Sequence, residues 1–202
     1  MVAFDAIDAA TIHEAQGRRG ALPSSITPAS PGFRLCGPAF TVDCPPGDNL
    51  WIHHAVYRAR PGDVLVVDVR GGTEYGYWGE ILSEAARARD LRGLVITGGV
   101  RDSDRLAEVG FPVFSTSLCI RGTGKDPAAQ GALGGQLTIG AVTVSPGDLI
   151  VGDSDGVVVV PAASVAEVRQ AARKRIEKEA AVISRLRAGD RTLDIYGLPE
   201  VP

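Results

Sequence analysis

The densest run of polar side chains in this 202-residue sequence lies between Glu74 and Asp104. Within it the short apolar segment Leu94-Val95-Ile96 leads into Thr97-Gly98-Gly99-Val100-Arg101-Asp102-Ser103-Asp104. A strand that ends in paired glycines and then shows Arg-Asp places a cation and a carboxylate at the strand's C-terminal mouth, where open α/β folds bind ligands. Arginine offers a planar fork matched to a carboxylate, and aspartate offers hard oxygen to a divalent cation. The alternative is an ion pair within a surface turn. Upstream, Tyr77-Trp78-Gly79-Glu80 opens a predicted helix over Gly79–Asp90. The unpaired first-turn amides of a helix attract anions, and a glycine there lets a ligand carboxylate approach the backbone. Glu80 beside such an anion calls for a metal, a water or Arg101 between them. Its simpler reading is a carboxylate that favours the helix dipole.

Other motifs read as structural. His53 and His54 lie on an amphipathic helix, one packed and one solvated, with no ligand partner at close spacing. Asp153-Ser154-Asp155-Gly156 lacks the full ligand series of a calcium loop and reads as a turn. Gly122-Thr123-Gly124-Lys125 falls short of a phosphate-binding loop. The stretch from Val66 to Thr73 has only a superficial likeness to the start of a methyltransferase fold, because Gly71, Gly72 and Gly76 have the wrong spacing. No lysine lies between Glu74 and Asp104, which disfavours Schiff-base chemistry. Lys125 falls elsewhere in the sequence, and Lys174 and Lys178 read as solvated helix-face charges.

The elements that must position these residues follow from turn chemistry and periodicity. Pro61-Gly62-Asp63 precedes the run 64–68, and Pro146-Gly147-Asp148 precedes the run 149–153. Each triplet predicts a type II turn that launches a buried strand. Further strands are predicted at 39–42, 93–97, 112–115, 136–144 and 156–160. Asp48 can cap a helix from Asn49 to about Arg60. Ser164 to Glu167 reads as a capping box, followed by apolar residues at helical spacing from Val165 to Leu186 and a stop at Gly189. Apolar residues at 45% and charged residues at 22% describe an ordinary globular chain, and no linker breaks it, so one domain over 1–202 is expected. A formal net charge of -3 argues against nucleic acid as the partner. No apolar run approaches the ~20 residues of a membrane helix. Three scattered cysteines (36, 44 and 119) and an N-terminus without a basic start fit a cytoplasmic protein that handles a small molecule.

Trp78-Gly79-Glu80 followed after twenty residues by Arg101-Asp102 resembles the signature of the 4-hydroxy-4-methyl-2-oxoglutarate aldolase family, the metal-dependent class II pyruvate aldolases related to the RraA regulators of ribonuclease activity. The resemblance runs through 37–42, 47–50, 61–66, 93–96, 146–148, 153–157 and 193–197. It implies an α/β fold, an αββα sandwich resembling the swivelling phosphohistidine β/β/α domain, assembled as a homotrimer or a dimer of trimers. It also implies that Asp102 is the direct protein ligand to Mg²⁺ or Mn²⁺ and that Arg101 binds the pyruvyl oxygen atoms. Backbone amides around Gly79, Glu80, Ile81 and Leu82 would hold the substrate carboxylate, and Glu80, often Asp in the family, would position a proton-shuttling water. On the last helix Glu179 falls within the apolar stripe and Glu177 outside it. Glu179 is then either a rim residue or, as the resemblance suggests, an acid that enters a neighbouring subunit's site. The expected substrate is a 4-hydroxy-2-oxo acid cleaved to pyruvate, with oxaloacetate decarboxylation as a side activity. The alternative is a non-catalytic RraA-like regulator that binds a ribonuclease or helicase.

Overall fold

The structure, a computed structural model, describes residues 4–201, and the side chains of all of these except Asp5. The expectations for Met1 to Ala3 and Pro202 therefore lie outside the described residues. Helix α1 (Ala9–Ala15) precedes β1 (Thr27–Pro28), β2 (Leu35–Asp43), α2 (Leu50–Arg58) and β3 (Val64–Asp68). Next come β4 (Gly76–Trp78), α3 (Glu80–Arg87), β5 (Gly93–Val100), α4 (Ser103–Val109) and β6 (Val113–Leu118). The chain then runs through β7 (Ala132–Leu133), β8 (Leu137–Ile139), β9 (Val142–Val144), β10 (Leu149–Asp153), β11 (Gly156–Val160), α5 (Val165–Arg187) and α6 (Thr192–Tyr196).

The main sheet has the order β1-β6-β5-β3-β2-β10-β11, with β6, β5, β3 and β2 parallel and the outer pairings antiparallel. Strands covered on both faces read as continuous apolar runs, and Val64, Leu65, Val66 and Val67 of β3 are all buried. The sheet curls toward closure, so that Gly152 of β10 comes against the ring of Phe114 of β6. The alternation of β11 then separates two cores. Val157 and Val159 face a large core shared with the central strands, α2 and α3, whereas Val158 and Val160 face a second core built with α1 and α5. Helices thus flank both faces of one nearly closed sheet, an α/β fold of the kind the family resemblance implies.

Both Pro-Gly-Asp turns form as expected. Gly62 and Gly147 adopt φ +94° and +85°, and the Asp63 and Asp148 amides close the turns on Arg60 and Ser145 carbonyls at 3.0 and 3.1 Å. The capping box does not form. A 3-10 turn over Ala162–Ser164 leads straight into α5, so Ser164 is already helical and its side chain caps nothing. The strand predicted over 136–144 is a hairpin instead, broken at Gly140 with φ +61°. The apolar stripe of α5 is buried only at Val168 and Ala172. Beyond them Ile176, Ile183 and Leu186 are 39%, 47% and 36% exposed.

Candidate active site

Strand β5 ends at Val100, and the short strand β4 lies beside that end, with Gly76 paired to Gly99 and Trp78 to Val100. The Arg101 amide donates to the Trp78 carbonyl at 2.9 Å. This crossing needs small residues, because a β-carbon at Gly76 would overlap the Cys119 carbonyl. Trp78 anchors the turn into α3. Its ring stacks on Phe111 with centroids 5.8 Å apart, and its indole N–H donates to Ser83 Oγ at 2.7 Å. Gly79 is the N-cap of α3, so the first-turn amides of that helix open toward Arg101 and Asp102.

Asp102 holds φ +61° and ψ +39°, the left-handed region that costs an ordinary side chain about 1–2 kcal/mol. The conformation turns its carboxylate away from its own helix α4. Oδ2 instead accepts the Glu80 amide at 3.2 Å, and Arg101 Nε lies 3.9 Å away. A β-carbon on Gly79 would overlap that same oxygen. Both side chains of the pair remain nearly half exposed and open to a ligand.

The cleft around this pair measures about 160 Å³ and is also lined by Asn49, His53, Ile81, Leu82 and Lys125. Gly79, Ile81, Leu82, Arg101 and Asp102 thus line one cleft. The Glu80 side chain is not among the lining residues. It sits at the rim, exposed, where its charge helps raise the pKa of Arg105 after the dominant contact of that arginine with Glu108. Glu179 lies elsewhere in the same chain. It pairs with Arg175 at 2.8 Å on α5, and Arg175 also reaches toward Glu14 of α1 at 3.7 Å. Glu177 is exposed on the same helix.

Lys125, which falls outside the segment from Glu74 to Asp104, also lines the cleft. Its loop is pinned from far away in sequence by Asp48, a buried carboxylate whose Oδ1 accepts the Leu50 amide at 2.8 Å and whose Oδ2 accepts the Asp126 amide at 2.5 Å. The amides of Asn49 and Gly124 tie the same loop to the start of α2. The sequence marked Asp48 as a helix cap, and its second oxygen is what fixes Lys125. His53 faces the cleft from α2, and its pKa is lowered first by burial and then by Lys125 and His54. Asn49 donates from Nδ2 to the Tyr77 carbonyl at 2.9 Å. Its Oδ1 is buried with no hydrogen-bond partner among the described residues. Cys44, beneath the start of α2, is pushed up to about 12 by burial and then by Asp48, so it is a structural thiol.

Residues 4–159 match the RraA-like family, described as Aldolase/RraA. The chain belongs to that family. A Halalkalibacterium halodurans protein provisionally named 4-hydroxy-4-methyl-2-oxoglutarate aldolase is 36% identical over 154 residues, covering 76% of this chain and 72% of its own. An uncharacterised Pseudomonas syringae protein superposes with a TM-score of 0.81 at 31% identity, over 92% of this chain and 86% of that one. The Thermus RNA-processing inhibitor RraA gives 0.69 at 25% identity, over 80% and 94%. The matched span contains Glu80, Arg101 and Asp102, whereas Glu179 lies beyond it. No helix among the described residues is long and apolar enough to cross a membrane.

Proposed function

We propose that this chain is a divalent-metal-dependent aldolase. Its substrate is 4-hydroxy-4-methyl-2-oxoglutarate or 4-carboxy-4-hydroxy-2-oxoadipate, cleaved to pyruvate and a second keto acid, with oxaloacetate decarboxylation as a side activity. One observation carries the reading: a left-handed Asp102 aims its carboxylate, beside Arg101, at the N-terminus of α3 across Gly79. Among the described residues no three His, Cys, Asp or Glu side chains gather as a metal cage. A lone, half-exposed aspartate suits an ion that keeps most of its waters, and the orphaned Asn49 Oδ1 offers an acceptor in the same cleft. Asp102 would therefore hold Mg²⁺ or Mn²⁺, which when bound supplies Lewis-acid stabilisation worth several kcal/mol.

The chain's own residues account for the remaining roles. The first-turn amides at Ile81 and Leu82 bind the carboxylate next to the keto group. Removal of the C4 hydroxyl proton, through a water positioned by Glu80, lets the C3–C4 bond break. The bond's electron pair moves into the C2 carbonyl to leave pyruvate enolate. The Arg101 guanidinium offsets the charge on that oxygen without reorganising, and protonation at C3 completes pyruvate. Lys125 provides a fixed cation for the carboxylate at the far end of the substrate. Its exposed position is not the apolar pocket that activates a Schiff-base lysine. The exposed apolar side of α5 fits burial in a homotrimer or a dimer of trimers of these single-domain chains (1–202), a state light scattering would measure. In that assembly Glu179 would enter a neighbour's cleft.

Purified protein with Mg²⁺ or Mn²⁺ should release pyruvate from these substrates, and a chelator or Asp102→Ala should abolish release. Borohydride with pyruvate should add no mass to the protein. Release that survives both chelation and Asp102→Ala, or a borohydride adduct at Lys125, refutes the metal mechanism. The second reading rests on the likeness to the Thermus inhibitor. A cytoplasmic regulator of ribonuclease or helicase would bind its partner and release no pyruvate under any metal.

A further inference from the structure

A larger cavity of about 700 Å³ lies at the opposite end of the parallel strands, reached by Gly62 before β3, Arg92 before β5 and Pro112 before β6. Four arginines line it, Arg34, Arg87, Arg92 and Arg169, and no acid lines it among the described side chains. Arg34 and Arg87 each engage a carboxylate outside the lining, Asp8 at 3.2 Å and Glu84 at 2.9 Å. Among the described side chains, Arg92 and Arg169 have no carboxylate within ion-pair distance. Arg169 stacks its guanidinium 4.9 Å over the Phe4 ring, and its Nε is shielded from solvent with no acceptor among the described residues. Stacking occupies the face of a guanidinium and leaves its in-plane donors aimed outward.

Arg92 and Arg169 thus converge on the cavity without a matching acid among the described side chains, which is electrostatically unfavourable unless an anion is expected there. The rest of the wall, formed by Leu35, Leu91, Phe111 and Val151, is apolar, and the volume falls in the range that encloses an organic ligand. We infer that this cavity is a second binding site, separate from the aldolase cleft, for a small organic anion that carries at least two negative charges on a carbon body. Phosphate esters and polycarboxylates share that chemistry. Arginine forks bind both in bidentate fashion.

Titration calorimetry on the full chain at 150 mM NaCl, with glucose 6-phosphate and citrate as separate probes and inorganic phosphate as the bodiless control, tests the site. One probe should bind saturably at one site per chain, at least tenfold more tightly than inorganic phosphate, and the stronger probe identifies the ester or carboxylate source. Arg92→Gln and Arg169→Gln should each weaken binding by about tenfold, the loss expected for one charge-assisted hydrogen bond. Arg92→Lys should restore most of the affinity, which separates lost charge from a lost fold. Asp102→Asn should leave binding unchanged, so the outcome does not depend on whether the chain is an aldolase. The inference is overturned if neither organic anion saturates, if the double Gln variant binds like the wild type, or if Asp102→Asn removes the binding.

Discussion

Replacing Gly79 with alanine adds one methyl group at the point where α3, Arg101 and Asp102 meet. The new β-carbon would overlap Asp102 Oδ2 and lie 3.1 Å from Asp102 Cγ and 3.2 Å from Arg101 Cγ. Carbon atoms pack at about 3.5–4.0 Å, so the carboxylate has to retreat by roughly 1 Å. The backbone contributes no penalty, because φ -163° is extended and open to any residue. The stability cost is then the Glu80 amide's bond to Asp102, at most about 1.5 kcal/mol. The smaller entropy of the unfolded alanine chain offsets about 0.4–1 kcal/mol of that. A 1 Å misplacement of a reacting group costs about 10²-fold in rate. Gly79→Ala should therefore lower kcat/KM for pyruvate release by about 10²-fold and weaken Mn²⁺ binding, while the melting temperature moves by only a few degrees. Coupled-enzyme kinetics, Mn²⁺ titration and thermal melting are the assays. Activity and Mn²⁺ affinity within twofold of the wild type would show that the carboxylate does not need this position. A fall of more than 3 kcal/mol in stability would show that the glycine serves the fold instead.

Asp48→Ala leaves two amides without their acceptor, at Leu50 and Asp126. It should cost about 3 kcal/mol in denaturant unfolding, and kcat/KM should fall because Lys125 loses its anchor. Asp48→Asn, which keeps one acceptor oxygen, should cost roughly half as much. Equal losses in the two variants would contradict the two-bond account. His53 has a folded pKa below its ordinary 6.5, so the native state favours the neutral ring. The unfolded chain binds the extra proton, and the stability contributed by His53 is present above 6.5 and lost as pH falls below it. Wild type should lose more stability than His53→Gln between pH 7.5 and 5.5, and parallel curves would refute the assignment.

Much of the fold was legible where local chemistry and tertiary structure agree. The Pro-Gly-Asp turns, the buried run of β3 and the glycine before α3 each state their role within a few residues. Arg101-Asp102 was legible for the same reason, since the strand before it and the glycines within it are contiguous in sequence. Strand β4 was not, because three residues with no alternation acquire strand geometry only by pairing with β5. Lys125 escaped because its place depends on a hydrogen bond to a carboxylate 78 residues distant in sequence, and no periodicity encodes that. The capping box failed for the opposite reason. Ser164 and Glu167 satisfy the local pattern, but the preceding 3-10 turn had already made Ser164 helical. On α5 the wheel correctly grouped the apolar residues, yet one chain offers a surface to cover only their first half.

Strand β5 carries Arg92 just before its first residue and Arg101 just after its last. Eight residues at about 3.3 Å each set the two guanidinium anchor points roughly 26 Å or more apart. At physiological ionic strength the screening distance is about 8 Å. An anion seated at one end of the strand therefore leaves the field at the other end almost untouched. An anion in the cavity we infer and a substrate in the cleft beside Asp102 would repel each other little through solvent.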